Sequence, residues 1–561
     1  MKKNILRGIC LLSCAALPWC GRAAAQDADR SGYFCESIRQ PFYVRTGSGD
    51  DLSPVRNKML PERFSARRPE GVRRVFLLGE SAAVILRDGA EIIDIDVPGG
   101  WTHGGMSRYG ALLGGGGERV EMLNFGMGGY DSYRISAILS EILNYSPDLL
   151  VLFSGNHEGV TEMCPGLEFD LRRRQSRLLE HYYSVKDGDD QQQARKKASL
   201  KMHREMLEKM ARAAKKKKVP LLFCTLPVNV RGLPSRMPLS LAGEPFAAGY
   251  RLFYDGKYAQ ALEKFRLALK DRPRGHFENF YAARTLDKLG EPAQAGAYYF
   301  SALAFDPEMN RADRARNDMI KETAAAEGVC VADLEKLFRD LSPDGLPGFG
   351  EFSDGMHWRP EYNKAVWNEV FRAAAACAVK GFGKFSPAKS GPVPAPAREE
   401  ALRRLNYAFF GMDRQGLNEA VLAELSRVRE EEPGLLREAA VSPEKLGRLL
   451  ISNFWTAGMQ DQFRTRFPLL LAHLAETERR AKNYGGALEL CRRALELEPG
   501  SGRFRLERAQ VLAGLGRNAE AAAEFLALAS ETSDISPEAR SLALAYGFAP
   551  PAAAPGRTTA K

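Results

Sequence analysis

Apolar positions along this chain follow two rhythms. Short, nearly continuous apolar runs at residues 72–78, 120–125, 149–153, 219–225 and 329–332 alternate with longer stretches of helical period, notably 199–214 and 361–376. Runs of this length, bounded by turn residues, read as strands buried on both faces of a parallel sheet, with the helical stretches as crossovers. Only Arg73 and Arg74 interrupt the first run, and Pro220 is tolerable because it sits at the beginning of its strand. The pattern predicts an α/β domain.

That pattern breaks between residues 240 and 309. Gly256, Tyr258, Ala261, Phe265, Ala268-Leu269 and Pro273 are followed 34 residues later by Gly290, Ala295, Tyr299, Ala302-Leu303 and Pro307. This period is that of tetratricopeptide-like (TPR) helix pairs, whose alanine and aromatic positions pack helix against helix. The same spacing returns from Asn483-Tyr484, Ala487, Cys491 and Ala494-Leu495 to Arg517, Ala521 and Phe525, and a degraded unit starts near Leu402. The expected organisation is therefore an export signal at 1–25, an N-terminal extension at 26–70, and an α/β domain in two parts, 71–239 and 310–383. Residues 240–309 form a helical insert between those parts. A Pro-, Ser-, Ala- and Gly-rich linker at 384–398, an all-α repeat domain at 399–545 and a disordered tail at 546–561 complete the chain. Pro468 is expected to start or end a helix.

Charge and cysteine usage narrow the function classes. Lys2, Lys3 and Arg7 give a positive start, Ile5 through Trp19 is mostly apolar and Ala23-Ala24-Ala25 supplies small residues before Gln26, as in a cleaved export signal; Cys14 gives only a loose lipoprotein match. The expected location is periplasmic or extracellular, with no integral membrane segment in the mature protein. The chain has 80 Lys plus Arg and 70 Asp plus Glu, a formal charge of +10. The two signs interleave as on solvated helix faces, which argues against nucleic-acid binding. The one sharp basic run, lysines 215–218, closes a helix and is read as C-terminal helix charge. Cys35, Cys164, Cys224, Cys330, Cys377 and Cys491 lie outside the leader, too dispersed for a disulfide framework or zinc motif. One or two bridges are allowed without a defined pairing. Neither a cofactor nor a metal is expected.

Four short segments carry the candidate chemistry. Gly79-Glu80-Ser81 closes the first strand, placing Ser81 where a helix begins and backbone N–H groups face developing negative charge. Asn124 to Gly129 closes the second, with glycines that let backbone approach a ligand. Ser154-Gly155-Asn156-His157-Glu158 closes the third, and the Asn156 amide can either donate to an oxyanion or pin its own turn. Asp354-Gly-Met-His357 lies beyond a glycine-rich loop; its histidine can act as a general base supported by the aspartate.

Together, in this order, the four segments resemble the SGNH, or GDSL-like, hydrolase family, over roughly residues 71 to 232 and 311 to 378. The resemblance implies a three-layer α/β/α flavodoxin-like domain. It also implies Ser81 as nucleophile, His357 as base and Asp354 as its orienting acid. The oxyanion hole would comprise the N–H groups of Ser81 and Gly129 and the Asn156 amide. Two departures fall beside these residues: Glu80 stands where the family has aspartate, and His157 follows Asn156 where the family has another aspartate. Glu80, His157 and Glu158 are expected to surround the site without performing the chemistry. The implied activity is that of an exported serine esterase or O-acyltransferase. Its substrate would be an acylated carbohydrate of the cell envelope, with acetyl preferred, or a small ester, and the repeats could bind an envelope protein. The alternatives are a non-catalytic glycan-binding scaffold and a lipid-directed esterase, the latter needing an apolar pocket to which Met356 and Trp358 could contribute.

Overall fold

A computed structural model describes residues 41–47, 49–54, 64–86, 119–158, 189–234, 244–254, 256–307, 310–352, 354–380, 397–412, 418–450, 460–531 and 535–548. The expected leader, nearly all of the linker and most of the tail lie outside these residues.

The apolar runs form the strands β4 (Val72–Gly79), β5 (Arg119–Gly126), β6 (Leu149–Phe153), β7 (Leu221–Cys224) and β8 (Cys330–Ala332) of one parallel sheet, ordered β5-β4-β6-β7-β8. The first of these strands thus lies between the second and third. The crossover leaving β4 runs to one side and that leaving β6 to the other, which opens a crevice at the carboxyl ends of β4 and β6. Ahead of them, β1 (Tyr43–Arg45), β2 (Asp51–Pro54) and β3 (Phe64–Ser65) make a small antiparallel sheet. Its Tyr43 and Phe64 rings pack edge-on against Phe125. The Phe42 and Tyr43 N–H groups donate to the Glu141 carboxylate at 2.7 and 2.9 Å.

Period-two alternation separates two cores. Val75, Leu77, Val151 and Leu222 face Trp367 and Phe371 of helix Asn363–Ala376. Phe76, Leu78, Leu152 and Phe223 face Ile135, Leu139, Leu207, Met210 and Ile320 on helices Ser132–Ile142, Asp189–Lys216 and Arg314–Glu327. Each such buried side chain contributes about 1.5–3 kcal/mol. Arg74 is tolerated within β4 because it is paired: Nε donates to Glu121 at 2.7 Å and Nη1 to the Tyr145 carbonyl at 2.7 Å. The helix expected over 199–214 begins ten residues earlier. That over 361–376 is a short 3-10 turn, Pro360–Tyr362, followed by Asn363–Ala376. Cys330 and Cys377 form a disulfide joining β8 to the end of this last helix, a pairing that sequence left open.

The insert consists of helices Glu244–Tyr254, Tyr258–Asp271, His276–Lys288 and Pro292–Ala304. The 34-residue spacing is visible in its turns, where Gly256 and Gly290 take φ of +76° and +78°, and in its core, where Ala261, Phe265, Ala295 and Tyr299 are buried. That core is continuous with one face of the sheet, through Leu226, Val230 and Phe246. Helices follow from Ala397 to Ala545. Pro468 departs from expectation, lying inside helix Gln460–Arg480. An interior proline costs roughly 3 kcal/mol, but Phe467, Leu470, Leu471 and Leu474 around it are all buried. At about 1.5–3 kcal/mol each, their burial outweighs that cost. No helix among the described residues is long and apolar enough to cross a membrane.

Candidate active site

β4 ends at a tight exit. Gly79 has φ of +151°, and a Cβ there would collide with the Phe153 carbonyl oxygen at the end of β6, so only glycine lets the two strand ends approach. The Glu80 N–H then donates to that same carbonyl at 3.1 Å. Ser81 opens the short helix Ser81–Val84, so its N–H has no acceptor within the helix. Asn124 fastens this turn to β5: its Nδ2 donates to the Ala83 carbonyl at 2.9 Å and its Oδ1 accepts from Gly126 N–H at 2.8 Å.

The structure brings Ser81, His357 and Asp354 together. Ser81 Oγ lies 2.6 Å from His357 Nε2, and His357 Nδ1 lies 2.6 Å from Asp354 Oδ2. A carboxylate only accepts, so Nδ1 carries the imidazole proton and Nε2 is left to accept from the serine hydroxyl. Asp354 Oδ1 accepts from the N–H groups of Met356 and His357 at 2.9 and 2.8 Å, which fixes the loop around its own acid. Loss of solvent pushes the Asp354 carboxyl upward, but the electrostatic attraction and hydrogen bond of the His357 imidazole, with the two backbone N–H groups, prevail and bring it down to about 2. Ser81 and His357 are both buried. Helix Leu334–Leu341 intervenes between β8 and this loop.

Asn156 is 1% exposed. Its Oδ1 accepts from Ala312 N–H at 2.8 Å, which leaves Nδ2 as a buried donor without a partner among the described residues. Since an unmet buried donor costs about 1–3 kcal/mol, such a group marks a site awaiting an acceptor. Gly129, at φ +72°, closes the β5 exit two residues before Asp131, the cap of helix Ser132–Ile142.

Around these groups lies a carboxylate-rich support. Glu80 is fully buried; its oxygens accept from Asn156 N–H at 3.1 and 3.2 Å and from His157 N–H at 3.1 Å. Burial pushes the Glu80 carboxyl well above the usual range, and nearby Glu158 adds to this, against the pull of those two N–H groups and of Arg316. Glu158 accepts from Ser132 N–H and Oγ at 2.9 and 2.7 Å and from Ser154 Oγ at 2.9 Å. His203 and Arg316, which the sequence reading did not single out, complete the support. Arg316 Nη1 donates to His203 Nδ1 at 3.2 Å, so His203 Nε2–H donates to Ser154 Oγ at 3.2 Å. Burial first, and then the Arg316 charge, push His203 well below its ordinary value, and it is neutral. A lone histidine in a long helix and an arginine after an insert carry no local signal of this arrangement. Trp358 is packed into the core, with Nε1 donating to Asn363 at 2.9 Å and its ring near Phe153 and Phe338. It is not free to wall a lipid pocket.

Residues 478–545 match the family model of the tetratricopeptide repeat. Among solved structures, the chain is similar to a GDSL-like lipase from Bacteroides thetaiotaomicron VPI-5482, at 10% identity over 55% of this chain and 88% of that one, with a TM-score of 0.24. It is also similar to the acetyl xylan esterase AlAXEase, at 12% identity over 54% of this chain and 98% of that one, with a TM-score of 0.26. No curated protein matches the chain.

A hydroxyl, an imidazole and a carboxylate in this sequence of contacts can pass the serine proton to nitrogen as oxygen attacks a carbon. An amide donor beside them can receive the negative charge that results.

Proposed function

We propose that the chain is a serine esterase or O-acyltransferase of the SGNH type, with Ser81 as nucleophile, His357 as base and Asp354 as orienting acid. The observation that carries this reading is the pair of 2.6 Å contacts linking Ser81, His357 and Asp354. As Ser81 Oγ forms a bond to the ester carbonyl carbon, its proton moves to His357 Nε2. The carbonyl oxygen takes up the negative charge against Asn156 Nδ2 and the N–H groups of Ser81 and Gly129. Collapse breaks the bond to the leaving oxygen, which departs as an alcohol with the proton from His357. Water or a sugar hydroxyl then gives its proton to His357 while attacking the acyl-enzyme, and the released Ser81 Oγ recovers that proton. With water the reaction is hydrolysis; with the sugar it is transfer.

The strand order and the helices on both sheet faces support the three-layer, flavodoxin-like reading of the domain. Acetyl esters of cell-envelope carbohydrate are the proposed substrate class, the periplasm or cell exterior the proposed location, and an envelope protein the proposed partner of the repeats. A glycan-binding scaffold would have no use for a hydrogen-bonded Ser81-His357-Asp354 chain or for an unmet donor on Asn156.

Release of acyl product from aryl acetate and longer aryl esters tests the reading. Turnover that falls at least about 10³-fold in both Ser81→Ala and His357→Ala is expected. Equal turnover in either variant overturns it. Acetylated polysaccharide, supplied with and without an acceptor glycan, then separates hydrolysis from transfer.

A further inference from the structure

The inserted helices are separated from the triad in sequence, yet the chain leaving them touches the site. After helix Pro292–Ala304 the chain passes Asp306 and re-enters the α/β domain at Asn310, Arg311, Ala312 and Asp313, the last of which caps helix Arg314–Glu327. Ala312 N–H is the donor that holds Asn156 Oδ1 at 2.8 Å. The two ends of an asparagine amide have the same shape, so the donor or acceptor they meet decides which way the group faces. A peptide N–H can only donate, so Ala312 fixes oxygen on its own side and leaves Nδ2 as the outward donor.

What holds Ala312 there is its neighbour. The Arg311 side chain is 7% exposed and that of Asp306 3%. Arg311 Nε and Nη2 donate to Asp306 Oδ2 at 3.1 and 2.6 Å, while Nη1 donates to the carbonyls of Asn229 and Leu233 at 3.0 and 2.9 Å. One buried guanidinium therefore ties the end of the insert to the turn after β7. Its Cδ also lies 3.3 Å from where a Cβ on Gly355 would stand, so the same side chain underlies the loop that carries His357. A buried arginine left without its carboxylate would be strongly unfavourable, so the pair has one arrangement and not several.

We infer that Arg311 is a positioning residue for the oxyanion donor: its pairing with Asp306 sets the Ala312 peptide, and that peptide aims the Asn156 amide. This rests on the esterase reading above. It assigns the insert a role in the reaction besides any docking, because Asp306, at the insert's end, anchors the arginine that sets a group that would act on the transition state.

The test is a double-mutant cycle of Arg311→Met with Asn156→Ala on aryl acetate hydrolysis, with Arg311→Lys as the conservative variant. Arg311→Met is expected to lower kcat by about tenfold to a hundredfold, within what the loss of one oxyanion donor costs, with KM changed by less than about twofold. In the Asn156→Ala background the same change is expected to cost less than about threefold, since the group it positions is gone. Arg311→Lys should recover part of kcat. An equal fold-loss in both backgrounds, or an unchanged kcat, overturns the inference while leaving the esterase reading intact. If the unsubstituted protein turns over no ester, the esterase reading fails and the inference falls with it. If Arg311→Met does not fold, as judged by thermal unfolding, Asp306→Asn carries the same cycle with the same expectations.

Discussion

Asp354 is the residue whose chemistry can be followed by pH. Its carboxyl sits near 2 in the folded protein, below the value of about 3.9 expected in an unfolded chain. A group depressed on folding stabilises the native state above its unfolded value and loses that contribution as pH falls through the folded one. Denaturant unfolding is therefore expected to show stability dropping between about pH 4 and pH 2, with a shallower drop in Asp354→Asn; the same slope in both proteins would contradict this. Glu80 has a different use. Its carboxylate reaches the N–H groups of Asn156 and His157, and Glu80→Asp, shortened by one methylene, is expected to lower kcat about tenfold by loosening the Asn156 turn. Ser81, Asn156 and His357 were legible in the sequence because each stands within two residues of a glycine, at the end of an apolar run or just beyond a glycine-rich loop. Glu80 and Glu158 were legible only as neighbours, and His203, Arg316 and Arg311 not at all. Arg316 and His203 stand 113 residues apart, and the carbonyls that Arg311 reaches besides Asp306 lie 82 and 78 residues away; no local spacing encodes such contacts.

At the scale of elements, the parallel strands were readable because a strand buried on both faces has no polar alternation to confuse with a loop. The β1–β3 sheet was not, since strands of two to four residues carry too short a pattern. Helix Gln460–Arg480 crosses Pro468 because core packing outweighs the local rule. The disulfide was unreadable for a related reason: Cys330 and Cys377 meet only once β8 and the last helix of the domain are packed together. The bridge closes 47 residues around the His357 loop. A closed loop of that length is worth about 4 kcal/mol against the unfolded chain. Reductant, or Cys377→Ser, is expected to lower unfolding free energy by an amount of this order; an unchanged denaturation midpoint would contradict it.

Across the whole molecule, every group placed around Ser81 belongs to the α/β domain or to the end of its insert. Among the described residues, the contacts by which the helices from Ala397 onward meet that body include Arg284, 3.9 Å from Glu424, and the Phe349 and Tyr407 rings, 6.1 Å apart. Removing residues 397–561 is expected to leave small-ester turnover within about threefold, because no donor or base is lost. A hundredfold fall would assign those helices to the site itself. The division between an α/β domain and two helical regions was plain in the change of period from short apolar runs to a 34-residue repeat. The link between insert and oxyanion donor was not, because it is carried by one backbone N–H, and backbone donors leave no mark in a sequence.

The most direct measurement is reaction of the protein with a serine-directed fluorophosphonate, read by intact mass and peptide mapping. One adduct per chain is predicted, on Ser81, absent from Ser81→Ala and strongly slowed in His357→Ala. No adduct, or an adduct at another serine that persists in Ser81→Ala, would contradict the account.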